Sequence, residues 1–132
     1  MSQENVEVVR RMNRAFNEGD VEGVVDVFHP DAELTDLLNA PDLPRSARGT
    51  TGIREVVATW FDAFDEFSGE VTEYIDAGDA VICVTHYRGK GKESGLTVDY
   101  DGVDLHEFRN GKVTRTTLGY ASKADALQAA GL

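Results

Sequence analysis

Up to about residue 64 the apolar residues of this chain recur at helical spacing, and from Gly69 onward they alternate. That change of period, from 3.6 to 2, marks helices followed by strands. Helices first and an antiparallel meander afterwards define an α+β fold. Val6, Val9, Asn13 and Phe16 share one face of a first helix, with Ser2 placed to cap it and Gly19 to stop it. Asp20 caps a second helix carrying Val21, Val24, Val25 and Phe28, and Pro30 ends it. Ala32, Leu34 and Asp36 then share one face of a short strand. Residues 40–48 hold Pro41 and Pro44 and read as a loop. Ile53, Val56, Val57, Trp60, Phe61 and Phe64 keep helical spacing, with Thr50 or Thr51 as the cap.

Val71, Glu73 and Ile75 begin the alternating half, closed by the turn Ala77-Gly78-Asp79. Residues 80–88 form a long strand, 89–95 a glycine-rich hairpin tip, and 96–108 the partner strand with a bulge expected at Asp101-Gly102. Asn110-Gly111 is a two-residue hairpin turn, because both of its positions require positive φ. Residues 113–120 return as the last strand, and Ser122 caps a short helix that ends at Gly131. A curved sheet with helices on its concave face encloses a cavity.

The chain has 132 residues, which predicts one domain spanning 1–132 with a core that needs no staples. Thirteen basic against 24 acidic residues give a net charge of −11, which argues against nucleic acid and anionic membrane as partners. Cys83 is the only cysteine, so no internal disulfide forms, and its apolar surroundings predict an inert buried thiol. Residues 1–14 carry no apolar stretch of the signal-peptide kind, which predicts a cytoplasmic protein. His29, His86 and His106 lack zinc-ligand spacing. Asp99-x-Asp101-Gly102 lacks the other positions of a calcium loop, and Gly89-x-Gly91 sits on a hairpin tip rather than between strand and helix. No metal and no cofactor are expected.

Four short motifs carry a family resemblance. They are Phe16-Asn17-Glu18-Gly19-Asp20, the strand entry His29-Pro30-Asp31-Ala32-Glu33, the helix entry from Arg48-Gly49 to Gly52-Ile53-Arg54-Glu55, and Phe108-Arg109-Asn110-Gly111-Lys112-Val113. Together they resemble the SnoaL-like branch of the nuclear transport factor 2-like superfamily, and the likeness covers nearly the whole chain. It implies a cone of three N-terminal helices on a curved antiparallel sheet. It also implies a pocket, and often a homodimer through the outer sheet face. The superfamily includes isomerases, cyclases, hydrolases and non-enzymes, so function has to come from the pocket.

If Asp104 faces inward, so do His106 and Phe108, while Val103, Leu105 and Glu107 face away. The matching set on the last strand is Thr116, Leu118 and Tyr120. The resemblance favours Val81, Cys83, Thr85 and Tyr87 as inward residues of the middle strand and turns His86 outward. Met12, Phe16, Val56 and Trp60 close the cavity from the helices.

Likeness to the ketosteroid isomerases places Asp36 at their general base and Asp104 at their protonated oxyanion-hole acid. Burial and a second carboxylate both raise a carboxyl pKa, so one acid donates while the other accepts. Asp36, Asp104, His106 and Tyr120 are therefore the candidate catalytic set. The isomerases' first-helix tyrosine is replaced by Met12, which cannot donate; Tyr120 or His106 would substitute. Plainer readings stand beside these. Asp36 caps a turn, Asp104 and His106 form a satisfied polar pair, the tyrosines and Trp60 are sheet and core residues, and His29 caps a helix end. Arg48 either holds Asp36 ionised or is solvated.

Three classes of function stay open: a cofactor-free isomerase, cyclase or epoxide-opening enzyme acting on a small hydrophobic or carbonyl-bearing metabolite; a ligand carrier; and a dimeric interaction domain.

Overall fold

The computed structural model describes residues 2–37 and 46–132. In chain order the elements are α1 (Ser2–Asn17), α2 (Val21–Val25), β1 (Phe28–Asp36), β2 (Ser46–Arg48) and α3 (Gly49–Ala63). They continue with β3 (Phe64–Asp76), β4 (Ala80–Gly91), β5 (Thr97–Arg109), β6 (Lys112–Tyr120) and α4 (Lys123–Ala129). One curved six-stranded sheet runs in the order β2-β1-β6-β5-β4-β3. Among the described residues no helix is long and apolar enough to cross a membrane.

Local chemistry accounts for the element ends. Asp20 accepts the N–H of Gly23 at 3.0 Å and starts α2; Ser122 accepts that of Asp125 at 3.1 Å and starts α4. Asn110 and Gly111 both take positive φ, 52° and 80°, and turn β5 tightly into β6. Asn17 grips the backbone of Gly69 with both ends of its amide, at 2.8 and 2.9 Å, and so fastens the last turn of α1 to the edge strand β3. A Cβ on Gly69 would lie 3.1 Å from the side chains of Thr85 and Tyr87, so one of them would have to shift by a few tenths of an ångström.

Several boundaries depart from expectation. α2 stops at Val25, and Phe28 and Pro30 belong to β1. Pro30 falls where the β1–β6 register is broken, between Phe28 and Glu33, so its missing N–H removes no ladder bond. His29 is thus a strand residue whose Nδ1 accepts the N–H of Asp31, not a helix cap. Of the expected loop, residues 40–45 lie outside the described residues, while 46–48 form β2 against β1. Arg48 meets Glu33 at 3.8 Å from there, and it is also the residue at the start of α3, with no side-chain cap from Thr50 or Thr51. α3 ends at Ala63, and Phe64 opens β3 five residues before the expected strand. β1 runs parallel to β6, so the sheet is mixed rather than wholly antiparallel. β5 passes Asp101 and Gly102 in continuous register with β4; its irregularities lie against β6 instead.

Two apolar layers result. α1, α2 and α3 pack with the inner sheet face through residues such as Val9, Val27, Ile53, Val57 and Val81. α4 packs on the outer face, where Ala126 meets Ile82, Val103 and Leu105. Each of these valine, leucine and isoleucine side chains, fully buried, contributes roughly 1.5–3 kcal/mol.

Candidate functional site

Between the inner sheet face and the helices lies a cavity of about 220 Å³. α1 contributes Met12, Asn13 and Phe16, and α3 contributes Val57 and Trp60. The sheet contributes Cys83, Thr85 and Tyr87 from β4, Asp104 and His106 from β5, and Thr116 and Leu118 from β6. Asp36 reaches the cavity from the end of β1, where it pairs in register with Leu118. Alternation puts these side chains on one face: Cys83 stands opposite Asp104, and Val81 opposite His106.

Three anticipated residues lie elsewhere. Val56 and Phe108 are buried in the adjoining core but do not line the cavity, and Val57 takes the place expected for Val56. Tyr120 is on the opposite side of the sheet, packed with Val103 and α4. The cause is a bulge: Val103 pairs with Tyr120 but Leu105 with Thr117, so β6 carries one extra residue there. Gly119 takes φ 86° in that bulge and reverses the alternation beyond it.

The bulge also frees the Gly119 N–H, which donates to Asp104 Oδ1 at 3.0 Å. Asp104 Oδ2 accepts the phenolic hydrogen of Tyr87. Burial nevertheless pushes the Asp104 carboxyl up to about 6; Tyr87 and Gly119 pull it down, and the charge of Asp36 raises it again. His106 is pushed down to about 4 by burial, so its ring is neutral at pH 7, with Nδ1 2.8 Å from Thr116 Oγ1. Burial raises the Tyr87 and Cys83 groups well above their ordinary values, and Asp104 adds to both.

Tyr100 belongs to this end of the cavity and was not anticipated. Burial raises its hydroxyl, and the charges of Asp104 and Asp36 act on it as well. Its ring lies 5.3 Å from that of Tyr87, and Gly102 leaves room for both: a Cβ there would be 3.0 Å from Tyr87. Counting back from Asp104 in twos reaches Gly102 and Tyr100, and only the bulge assumed at Asp101-Gly102 interrupted that count. Phe64 and Phe67 also line the far end, and a helix reading of residue 64 gave no signal for them.

His86 lies off the cavity, between Asp101, 2.6 Å from Nδ1, and Asp99, 2.8 Å from Nε2 but not aligned for a hydrogen bond. Among the described residues no group of three or more His, Cys, Asp or Glu is arranged to hold a metal.

A two-sided sheet with helices closing one face around a cavity defines the nuclear transport factor 2-like class. The SnoaL-like domain family matches residues 9–116, and the chain belongs to that family. It is similar to a hypothetical protein with ketosteroid isomerase-like fold from Catenulispora acidiphila, solved in complex with trimethylamine. That likeness has 20% identity over 96% of this chain and 93% of the other, at a TM-score of 0.78. TerC, co-crystallised with polyporic acid, is 24% identical over 95% of this chain and 98% of its own, also at 0.78. A putative SnoaL-like polyketide cyclase from Mesorhizobium loti is 20% identical over 87% and 97%, at 0.71. These likenesses establish the fold. No curated protein sequence matches the chain.

Proposed function

We propose that this protein is a cofactor-free proton-transfer enzyme for a small, largely apolar, carbonyl-bearing metabolite. The observation that supports it most is that two carboxyl groups, Asp36 and Asp104, open on one mainly apolar cavity, where the charge of Asp36 acts on Asp104. In this reading Asp36 takes a proton from the carbon beside the carbonyl. The electron pair moves to the carbonyl oxygen, which accepts hydrogen bonds from the Tyr100 hydroxyl and the neutral His106 ring. The proton then returns to a different carbon, which completes an isomerisation, or the carbanion attacks a second carbonyl, which closes a ring. Asp104 holds Tyr87 in place and supplies negative charge, because both its oxygens already accept hydrogen bonds.

The test is solvent deuterium uptake. The protein is incubated in heavy water with cyclic enones and aryl ketones, and exchange at the α-carbon is followed by NMR. Exchange that disappears in Asp36→Asn supports the reading. Exchange at the buffer rate for every compound, or unchanged exchange in Asp36→Asn, removes it.

A carrier is the second reading, and it is favoured by Met12, which leaves α1 without a hydroxyl donor at the cavity. A ligand bound and released unaltered, with equal affinity in Asp36→Asn, would identify it. Either reading is compatible with a pair of copies meeting on the outer sheet face beyond α4, around Glu70, His86 and Asp101. Sedimentation equilibrium tests that pairing.

A further inference from the structure

The neighbours in fold were solved with an amine in one case and an organic acid in another, so the fold does not fix the charge of the ligand. The lining does. Asp104 is only 2% exposed, and the groups that act on it are Tyr87, Gly119 and Asp36, with no cation among them. Among the described residues that line the cavity there is no lysine and no arginine. A buried carboxylate without a counter-ion is costly, and an anionic ligand beside it would be repelled.

Two further polar groups line the cavity at this end. Thr85 is 3% exposed. His106 is 5% exposed, with Nδ1 2.8 Å from Thr116 Oγ1. The Thr85 hydroxyl oxygen can accept. Beside them stand the faces of Tyr87 and Tyr100, and Phe67 lies 6.2 Å beyond Tyr87. A carboxylate, a neutral acceptor and aromatic rings together suit an organic cation. The wall around them is too apolar to suit a hydrated metal ion.

We propose that the substrate of this cavity is a small hydrophobic amine, bound as its ammonium ion against Asp104, with its apolar body among Phe16, Trp60 and Phe67. The inference rests on the reading of the cavity as a ligand site, and it deepens the proton-transfer mechanism. Negative charge that develops on a carbonyl oxygen near the Asp104 carboxylate is opposed by its field. An ammonium group on the same substrate offsets that charge.

The test is calorimetric titration of the full chain with three ligands of matched shape: 2-phenylethylamine, 2-phenylethanol and phenylacetate. At pH 7 the amine is expected to bind at least about tenfold tighter than the alcohol, and phenylacetate not to bind. Between pH 7 and 5 the amine should weaken while the alcohol does not, because the ammonium keeps its charge and Asp104 takes up a proton through about 6. In Asp104→Asn, with folding verified by its amide NMR spectrum, the amine should lose its advantage over the alcohol. If that variant fails to fold, the pH series on the unaltered protein still decides. An alcohol that matches the amine, binding of phenylacetate, an amine affinity independent of pH, or no amine binding at all overturns the proposal. Deuterium exchange on ketones without amine preference would sink this inference and leave proton transfer standing. Amine binding without any exchange would do the reverse.

Discussion

The backbone N–H of Gly119 points at Asp104 Oδ1 from 3.0 Å, across a bulge in which β6 is one residue longer than β5 requires. A regular ladder would have spent that N–H on a strand carbonyl. The bulge gives it to a buried carboxyl instead, and the same reversal carries Tyr120 to the other face of the sheet. One backbone irregularity thus places both a donor inside the cavity and an aromatic ring outside it.

Asp104 and His106 should make opposing contributions to stability as pH changes. The Asp104 carboxyl rises from 3.8 to about 6 on folding, at roughly 1.4 kcal/mol per pH unit. Its cost, on the order of 3 kcal/mol, is present above pH 6 and is relieved as pH falls toward 4. The His106 ring falls from 6.5 to about 4, so its cost is absent above 6.5 and grows as pH falls through the same window. The two nearly cancel in the unaltered protein. Asp104→Asn is expected to lose stability on acidification from pH 6.5 to 4, and His106→Gln to gain it, each relative to the unaltered chain. Urea unfolding across that range measures both slopes.

Tyr87→Phe removes the hydroxyl that donates to Asp104 Oδ2 and leaves a buried carboxylate one bond short. A loss of about 1–3 kcal/mol at pH 7 is expected. The Asp104 carboxyl should also titrate higher than in the unaltered protein, since a downward influence has gone. Carboxyl-carbon NMR reads that shift directly, and a shift in the other direction would contradict the geometry.

Gly119→Ala places a Cβ on a residue with φ 86°, which side-chain-bearing residues rarely adopt. A destabilisation of at least about 1 kcal/mol is expected. Its signature is a raised Asp104 titration together with altered fluorescence of Tyr120, because the bulge governs both. A change in only one of the two would show that they are uncoupled.

Cys83 is 2% exposed, and burial raises its thiol far above its ordinary value, with Asp104 adding to the effect. The native protein should react negligibly with iodoacetamide at pH 8 and fully in 6 M urea. Alkylation of the native state at the rate of a free thiol would show that the cavity holds water around the sulfur.

What the sequence made legible was mostly local. Asp20, Ser122 and Asn110-Gly111 announce their caps and turn through chemistry that acts over two or three residues. The inner face of β4 and β5 follows from alternation once Asp104 is placed. Non-local facts were hidden. Nothing between residues 28 and 36 indicates a parallel partner some 80 residues away. The helical stripe runs through Phe64, yet the chain turns extended there because the sheet edge claims it. Tyr120 kept its period but not its side, because a single positive-φ glycine separates it from Leu118.

The parallel pairing of β1 with β6 has a consequence for how the protein comes into being. It brings Asp36 beside Leu118, so the polar end of the cavity joins parts of the chain made far apart in time. During synthesis the first three helices and β1 leave the ribosome with their apolar faces open, and they must wait for the final strand. Closing so long a loop costs entropy before any contact repays it, which places this topology among the slower folders of its size. A nascent chain halted anywhere before residue 112 carries Asp36 without the strand that stands beside it.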